Sequence, residues 1–324
     1  MFVALWLPAA FAALPLTAAA FLALPPAARG TSTPSASIEQ TPRPQPRAST
    51  DSMLLSPAQL RERLTRGNVV VLHVGERADY NAEHIPGARY LPYEAISTPR
   101  GSGLMLELPA VATLDSLFES LGVSDGSRIV LYWTKDWYSP TTRVFLTLDY
   151  LGLGDRTSIL DGGLAAWKAS GGQLTTEVPP LVRGRLTVTP RADVVVDAKV
   201  VQAAVSDRGV AIIDARDARF YTGEAKGMHA REGHVPGARN LAFHTLLDDR
   251  GAFKPRDMLA AMLDAAGATA GKQTIAYCHI GQQATVVYFA ARLLGRDARV
   301  YDGSWDEWSR RSELPIETGR GTNR

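Results

Sequence analysis

The feature that most constrains the fold of this chain is an internal duplication. The segment His84–Arg89 (HIPGAR) recurs as His234–Arg239 (HVPGAR), and a β-branched run precedes each copy. Further on, a second pair of motifs recurs in the same order and at the same internal spacing: DGG with a tryptophan at Trp167, and DGS with a tryptophan at Trp308. Self-similarity over so long a period predicts two copies of one structural unit.

Each copy alternates short apolar runs with amphipathic stretches. Ile129–Trp133 precedes Arg143–Leu151, and Thr274–Cys278 precedes Thr285–Leu294. This alternation is typical of parallel strands joined by helices. With 324 residues, the chain is long enough for two such α/β domains.

The composition divides the chain further. Residues 1–28 are apolar and carry no charge before Arg29, residues 31–51 are rich in Ser, Thr, Pro and Arg, and Pro179–Arg191 combines prolines with basic residues. Ser56 and Asp197 stand where helix N-caps are expected. We therefore predict a signal peptide at 1–28, a disordered tether at 29–51, a first domain at 52–178, a linker at 179–191, a second domain at 192–315 and a tail at 316–324.

The apolar beginning predicts export, and hence a periplasmic or secreted protein with no stable membrane association after cleavage. The usual basic residues before the apolar stretch are missing, so an uncleaved membrane anchor and a misplaced start codon stay open as alternatives.

Charge and composition exclude several partners. The formal net charge is only +2, and no Lys/Arg run with interleaved aromatics appears, so we expect no nucleic-acid partner. The histidines lack zinc-ligand spacing and there is only one cysteine, so we expect neither a metal nor a cofactor.

That cysteine, Cys278, ends an apolar run and opens the loop CHIGQQ before a helical stretch. Loop N–H groups and the positive end of the following helix dipole converge there, which favours the thiolate and predicts a nucleophile. The alternative is a buried structural cysteine. The first half has a longer aromatic loop in the matching place, Tyr132–Pro140, without a thiol.

This combination of motifs resembles the tandem-domain rhodanese family, the thiosulfate and 3-mercaptopyruvate sulfurtransferases, over about residues 52–315. The motifs that carry the resemblance are the two HxPGA segments, the Asp214–Arg216 strand end, the Cys278 loop and the closing GSW with Trp308. The resemblance implies two tandem rhodanese-like domains, each a mostly parallel sheet with helices on both faces, of which only the second is catalytic.

The resemblance also implies a reaction. The Cys278 thiolate takes the outer sulfur of a donor and passes it from a persulfide to cyanide or a thiol, with ping-pong kinetics. Thiosulfate is the expected donor, 3-mercaptopyruvate is the first alternative, and a non-catalytic sulfur-carrier or partner-binding module is the second. We expect a monomer.

By the same resemblance, Arg216 and Arg219 bind the anionic donor together with the loop residues His279, Ile280, Gly281, Gln282 and Gln283. For Arg216, a bracing ion pair with Asp214 or Asp217 is equally expected. His279 is either a cationic donor beside the thiol or a side chain that faces solvent.

Other conspicuous residues have structural interpretations. His84 and His234 open the same turn in both halves, so a structural hydrogen bond is expected of each. Trp167, Trp305 and Trp308 are expected core or interface aromatics. Rhodanese-like phosphatases place an arginine where this chain has Ala284, so phosphatase activity is not expected.

Overall fold

The computed structural model describes residues 53–99 and 101–321. The predicted signal peptide and tether therefore lie outside the described residues. Both repeats belong to one compact unit of the chain. Within the described part, every helix falls short of the length and apolar character that crossing a bilayer requires.

The first repeat is a five-stranded sheet with helices between its strands. The elements are β1 (Leu54–Leu55), α1 (Pro57–Arg66), β2 (Val69–Val74), α2 (Arg77–Ala82), β3 (Arg89–Tyr90), α3 (Val111–Ser120), β4 (Arg128–Trp133), α4 (Tyr138–Tyr150), β5 (Thr157–Leu160) and α5 (Gly163–Ala169). The strand order is β1-β5-β4-β2-β3, and each neighbouring pair is parallel.

The second repeat has the same plan. Its elements are β6 (Val195–Val196), α6 (Ala198–Ala204), β7 (Val210–Asp214), α7 (Ala218–Thr222), β8 (Arg239–Asn240), α8 (Arg256–Ala265), β9 (Gln273–Tyr277), α9 (Ala284–Leu293), β10 (Ala298–Tyr301) and α10 (Ser304–Arg310). The order β6-β10-β9-β7-β8 is again wholly parallel. The predicted α/β duplication is confirmed.

The expected helix caps are present. Ser56 forms a reciprocal capping box with Gln59 at the start of α1, and the Asp197 side chain accepts a hydrogen bond from the N–H of Val200 at the start of α6. Strand β4 ends with its apolar run at Trp133, and β9 ends at Tyr277, one residue before Cys278. Both are the middle strands of their sheets, which explains why most of their residues are apolar and buried on both faces.

The two repeats meet through α4 and α9. Phe145 of α4 and Phe289 of α9 pack edge to face with ring centroids 4.8 Å apart. The buried carboxylate of Asp149 accepts hydrogen bonds from Tyr288 and Arg292 of α9. Every residue of α9 is buried. The interface therefore holds the helix that follows the Cys278 loop.

The segments outside the two repeats also make contacts. The linker Pro179–Arg191 runs along the first repeat, where the N–H of Gly184 donates to Glu119 O (2.8 Å) and that of Thr189 to Leu151 O (3.2 Å). In the predicted tail, the N–H of Glu317 donates to the carbonyl of His234 (3.0 Å). The tail thus pairs with the second repeat through residue 317.

Candidate active site

Cys278 directly follows β9, and its side chain is fully buried. The loop His279–Gln283 separates it from α9, and four of the five loop residues are partly exposed. Burial agrees with the alternative of a structural cysteine, since reactive thiols are usually partly exposed. The surroundings of the thiol are what distinguish the two interpretations.

The loop carries an unusual run of free donors. Within the described residues, none of the backbone N–H groups from His279 to Ala284 donates a hydrogen bond, whereas the N–H groups of Thr285 and Val286 donate to Gln282 and Gln283. Buried or half-buried N–H groups are rarely left without an acceptor. A loop of unpaired amides after a strand end is the arrangement that binds an anion.

The helix α10 fixes the base of this loop. The N–H of Cys278 donates to the hydroxyl of Ser304 (3.1 Å), so it is not one of the free amides of the loop. The N–H groups of Trp305 and Asp306 donate to the carbonyls of Cys278 and His279, each at 3.0 Å. Three bonds therefore hold the first two loop residues on one element.

The first repeat holds the other end of the loop through Arg143, which the sequence analysis did not single out. Its fully buried guanidinium donates to the carbonyl of Gly281 (3.2 Å) and to that of Leu106 (2.6 Å), and it pairs with the Asp302 carboxylate. Asp302 also accepts from the N–H of Leu108 (3.3 Å). One buried arginine from the first repeat thus ties the loop to both repeats.

Gln282 is held from the same side. Its amide oxygen accepts from the hydroxyl of Tyr93 (2.8 Å), and its amide nitrogen donates to the hydroxyl of Ser139 (3.1 Å). Both partners belong to the first repeat. Gln282, predicted to bind substrate, is therefore engaged in the domain interface. The buried side-chain oxygen of Gln283, in contrast, has no hydrogen-bond partner within the described ranges.

Arg216 forms a fully buried ion pair with Asp214. Its Nε and Nη2 donate to the two oxygens of Asp214 (3.0 and 2.6 Å), and Nη2 also donates to the carbonyl of Gly233 (2.7 Å). Burial by itself lowers the pKa of Arg216, but Asp214, Tyr277 and Cys278 together raise it above its usual value. This geometry favours the bracing role over direct substrate binding.

Arg219 differs from Arg216 in exposure. It is exposed, its guanidinium lies 4.8 Å from the ring centroid of Phe220, and no carboxylate in the described part of the chain pairs with it. Of the two predicted arginines, Arg219 is the one available to an incoming anion.

His279 contacts a second histidine that sequence reasoning missed. The Nδ1 of His279 lies 2.7 Å from the Nε2 of buried His229. Burial lowers the pKa of His279 to about 4, and the charges of Arg216 and His229 act in the same direction. The imidazole is therefore neutral at pH 7. This disfavours a cationic donor beside the thiol, because burial and the charge of Arg216 both oppose protonation of the ring.

The first repeat lacks this chemistry at the same point of its sheet. Trp133, the last residue of β4, occupies the position in the first repeat that Cys278 occupies in the second, and its side chain is buried in the core. His73 replaces the ion-paired Asp214, and burial lowers its pKa to about 4. A bulky indole and a neutral imidazole thus occupy the places of the thiol and the carboxylate.

The structural roles expected of the other residues are confirmed. His84 and His234 donate through Nδ1 to the carbonyls of Tyr80 and Tyr221, both at 2.7 Å. Trp167, Trp305 and Trp308 are buried in apolar clusters. Over residues 53–99 and 101–321, no cluster of three or more His, Cys, Asp or Glu side chains has the arrangement of a metal site.

The sequence did carry a signal for Arg143. It lies in an amphipathic stretch with only one other charged residue, Asp149, and a charged residue buried among apolar ones needs a partner. For His229 no local signal exists, because its partner lies 50 positions further along the chain.

These features define a duplicated α/β protein with one cysteine loop. The family model of the rhodanese-like domain matches residues 56–170 and 197–311. The chain belongs to the rhodanese-like family and is a sulfurtransferase, which acts on a sulfur donor and an acceptor.

Curated relatives cover nearly the same length. A Pseudomonas aeruginosa protein named "Probable 3-mercaptopyruvate sulfurtransferase" is 34% identical over 284 residues, covering 83% of this chain and 99% of the relative. A thiosulfate sulfurtransferase of the same species is 31% identical over 270 residues, covering 82% and 97%.

Among solved structures, a single-residue variant of EanB in complex with ergothioneine superposes with a TM-score of 0.76 at 20% identity. The match covers 86% of this chain and 73% of that one. It supports the fold.

Proposed function

We propose that this protein is a thiosulfate sulfurtransferase that works through a persulfide on Cys278. The observation that carries the proposal is the run of unpaired N–H groups from His279 to Ala284 beside the single cysteine. Preorganised amide donors stabilise an anionic sulfur without a charged side chain. A persulfide is such an anion, and it has to survive between the two half-reactions.

The proposed reaction has two steps. The Cys278 thiolate attacks the outer sulfur of thiosulfate, the Sγ–S bond forms, and sulfite leaves with the electron pair of the broken S–S bond. Cyanide then attacks the outer sulfur of the persulfide and departs with it as thiocyanate, and Cys278 returns to the thiolate. Charge and atoms balance in both steps, and separate donor and acceptor steps give ping-pong kinetics.

The surroundings favour a small inorganic dianion. Both buried arginines near the thiol are already paired, Arg143 with Asp302 and Arg216 with Asp214. The donor charge is therefore met by the loop amides and by exposed Arg219. Because Cys278 is fully buried, the donor reaches the thiol only when side chains of the loop move aside. A compact donor requires a smaller movement of these side chains than a larger donor does.

A second candidate is 3-mercaptopyruvate sulfurtransferase activity. The relative with 34% identity carries that name, and a carboxylate suits the exposed guanidinium of Arg219 as well as a sulfonate-like group does. In this case pyruvate replaces sulfite as the leaving product of the first step.

The test is thiocyanate formation from cyanide by the full-length protein, with thiosulfate and 3-mercaptopyruvate in parallel and the Cys278→Ser variant beside the wild type. A rate with thiosulfate that disappears in the variant supports the proposal. A rate with 3-mercaptopyruvate alone selects the second candidate. No rate with either donor, in protein whose circular dichroism shows it folded, refutes both and leaves a non-catalytic sulfur-carrier or partner-binding role.

Export to the periplasm or the outside is proposed on the apolar character of residues 1–28 alone. N-terminal sequencing of the mature protein from fractionated cells tests it. A start at Met1 in the soluble cytoplasmic fraction would refute export.

A further inference from the structure

The histidine beside the nucleophile belongs to a coplanar imidazole pair. The Nε2 of His229 and the Nδ1 of His279 are 2.7 Å apart, and the two ring planes differ by 6°. The ring of Phe220 packs edge to face on His279 with centroids 4.6 Å apart. The His279 ring is therefore fixed on two sides directly next to Cys278.

The two ends of the pair differ. The Nδ1 of His229 is buried and has no hydrogen-bond partner among the residues that the structure describes. The Nε2 of His279 makes no hydrogen bond to any described residue, and it is not among the sealed atoms. Of the two outer nitrogens of the pair, the Nδ1 of His229 is thus closed to solvent inside the fold, and the Nε2 of His279 is open at the loop.

The pair is uncharged at neutral pH. Burial lowers the pKa of both imidazoles, and Arg216 and Arg219 oppose protonation of His279, whereas Asp214 favours it. Around His229, Arg216 and Arg310 oppose protonation, and Asp306 and Asp214 favour it. Because the two facing nitrogens are 2.7 Å apart, one of them carries a proton and donates it in a hydrogen bond to the other.

Two neutral tautomers of the pair are available, because no partner at the sealed Nδ1 of His229 selects one of them. In one tautomer the open Nε2 of His279 carries the proton and donates. In the other tautomer it has a lone pair and accepts. The contact with His229 is preserved in both, and the net charge of the site does not change.

We propose that His229 is a positioning residue for the acceptor step, an inference that rests on the proposed function. It holds His279 so that the open Nε2 accepts a hydrogen bond from the S–H of a thiol acceptor. The thiol sulfur attacks the outer sulfur of the Cys278 persulfide, the new S–S bond forms, and the Sγ–S bond breaks. Cys278 leaves as the thiolate, the acceptor becomes a persulfide anion, and the proton of the thiol is released to solvent.

The experiment compares two acceptors on preloaded full-length protein. Cys278 is loaded with thiosulfate, or with inorganic polysulfide if thiosulfate does not load it, and the persulfide is then discharged to dithiothreitol or to sulfite. Sulfite above its pKa brings no proton, so it does not need the pair. Failure of wild-type protein to form any persulfide refutes the proposed function before variants are compared.

For His229→Phe we expect discharge to the thiol to slow about tenfold, the value of roughly one lost hydrogen bond, and discharge to sulfite to stay within about twofold. His229→Gln, which keeps a donor and an acceptor, restores most of the rate with the thiol. The neighbouring Met228→Ala is the control, because the side chain of Met228 is 74% exposed.

Equal slowing with both acceptors shows that His229 acts only on the fold of the loop, and it overturns the proposal. An unchanged rate with the thiol overturns it as well. If His229→Phe does not fold, His279→Phe, which keeps a ring against Phe220 but has no hydrogen-bonding nitrogen, replaces it. A half-buried loop residue is expected to tolerate the change, and the same selective loss with the thiol is then required.

Discussion

Replacing Arg143 with methionine is predicted to damage both stability and catalysis. The change removes a fully buried guanidinium that donates to the carbonyls of Gly281 and Leu106. The carboxylate of Asp302, only 13% exposed, then keeps the N–H of Leu108 as its remaining partner. The variant thus leaves a buried charge without its counter-ion.

The magnitude follows from this geometry. Burial by itself lowers the pKa of Arg143, but Asp302, Tyr93 and Cys278 together raise it above its usual value, so the guanidinium keeps its charge in the folded protein. Breaking a buried ion pair from one side costs about 3–5 kcal/mol. For a folded chain of this size, each kcal/mol lowers Tm by about 2–4 °C, so we expect a fall of about 10 °C.

The assay is thermal unfolding of the full-length protein followed by circular dichroism, with kcat measured on the same samples. Arg183→Met is the matched control, because Arg183 pairs with Glu119 at the surface and its side chain is 55% exposed. An exposed pair contributes about 0–1 kcal/mol. Adding Asp302→Asn to Arg143→Met should recover part of the lost Tm, since the uncompensated charge disappears.

The account is refuted if Arg143→Met and Arg183→Met shift Tm equally. It is also refuted if kcat of Arg143→Met matches the wild type at a temperature where both are folded. In either case the contact between the guanidinium and Gly281 does not hold the loop.

Three further predictions concern single residues. Gly281 has φ of +81°, and a Cβ there would lie 2.6 Å from the carbonyl oxygen of Asp302. Gly281→Ala should therefore lower kcat at least tenfold. Gly271→Ala should not, because the space around a Cβ at position 271 is open. Arg219→Ala should raise KM for thiosulfate several-fold and leave kcat nearly unchanged, and an unchanged KM would remove Arg219 from the site. Burial lowers the pKa of His73 from 6.5 to about 4. As the pH falls from 6.5 toward 4, the unfolded chain therefore takes up a proton that the folded protein does not, and the free energy of unfolding falls by ~3 kcal/mol. Urea unfolding at pH 7 and pH 5 should show a smaller loss in His73→Leu than in the wild type, and equal losses would contradict the assignment.

Much of the fold could be predicted from the sequence because the duplication repeats local signals. The HxPGA turns, the caps at Ser56 and Asp197, and the apolar runs before Trp133 and Cys278 each act over a few neighbouring residues. Two copies of each signal in the same order define the architecture.

The contacts that complete the site are different in kind. Arg143 reaches Gly281 across 138 positions, and His229 meets His279 across 50. Such pairs depend on how the two repeats and the loops pack, which no periodicity records. The sequence also left the role of Arg216 open, and only the packing shows its guanidinium enclosed by Asp214 and Gly233.

The central claim is that Cys278 carries the transferred sulfur. The most direct test is the intact mass of the full-length protein after incubation with thiosulfate and rapid desalting, with Cys278→Ser treated in parallel. The account predicts that wild-type protein gains the mass of one sulfur atom, loses it again on addition of cyanide, and that the variant gains none. A wild-type protein that gains no sulfur from thiosulfate, or a Cys278→Ser variant that still gains it, would contradict the account.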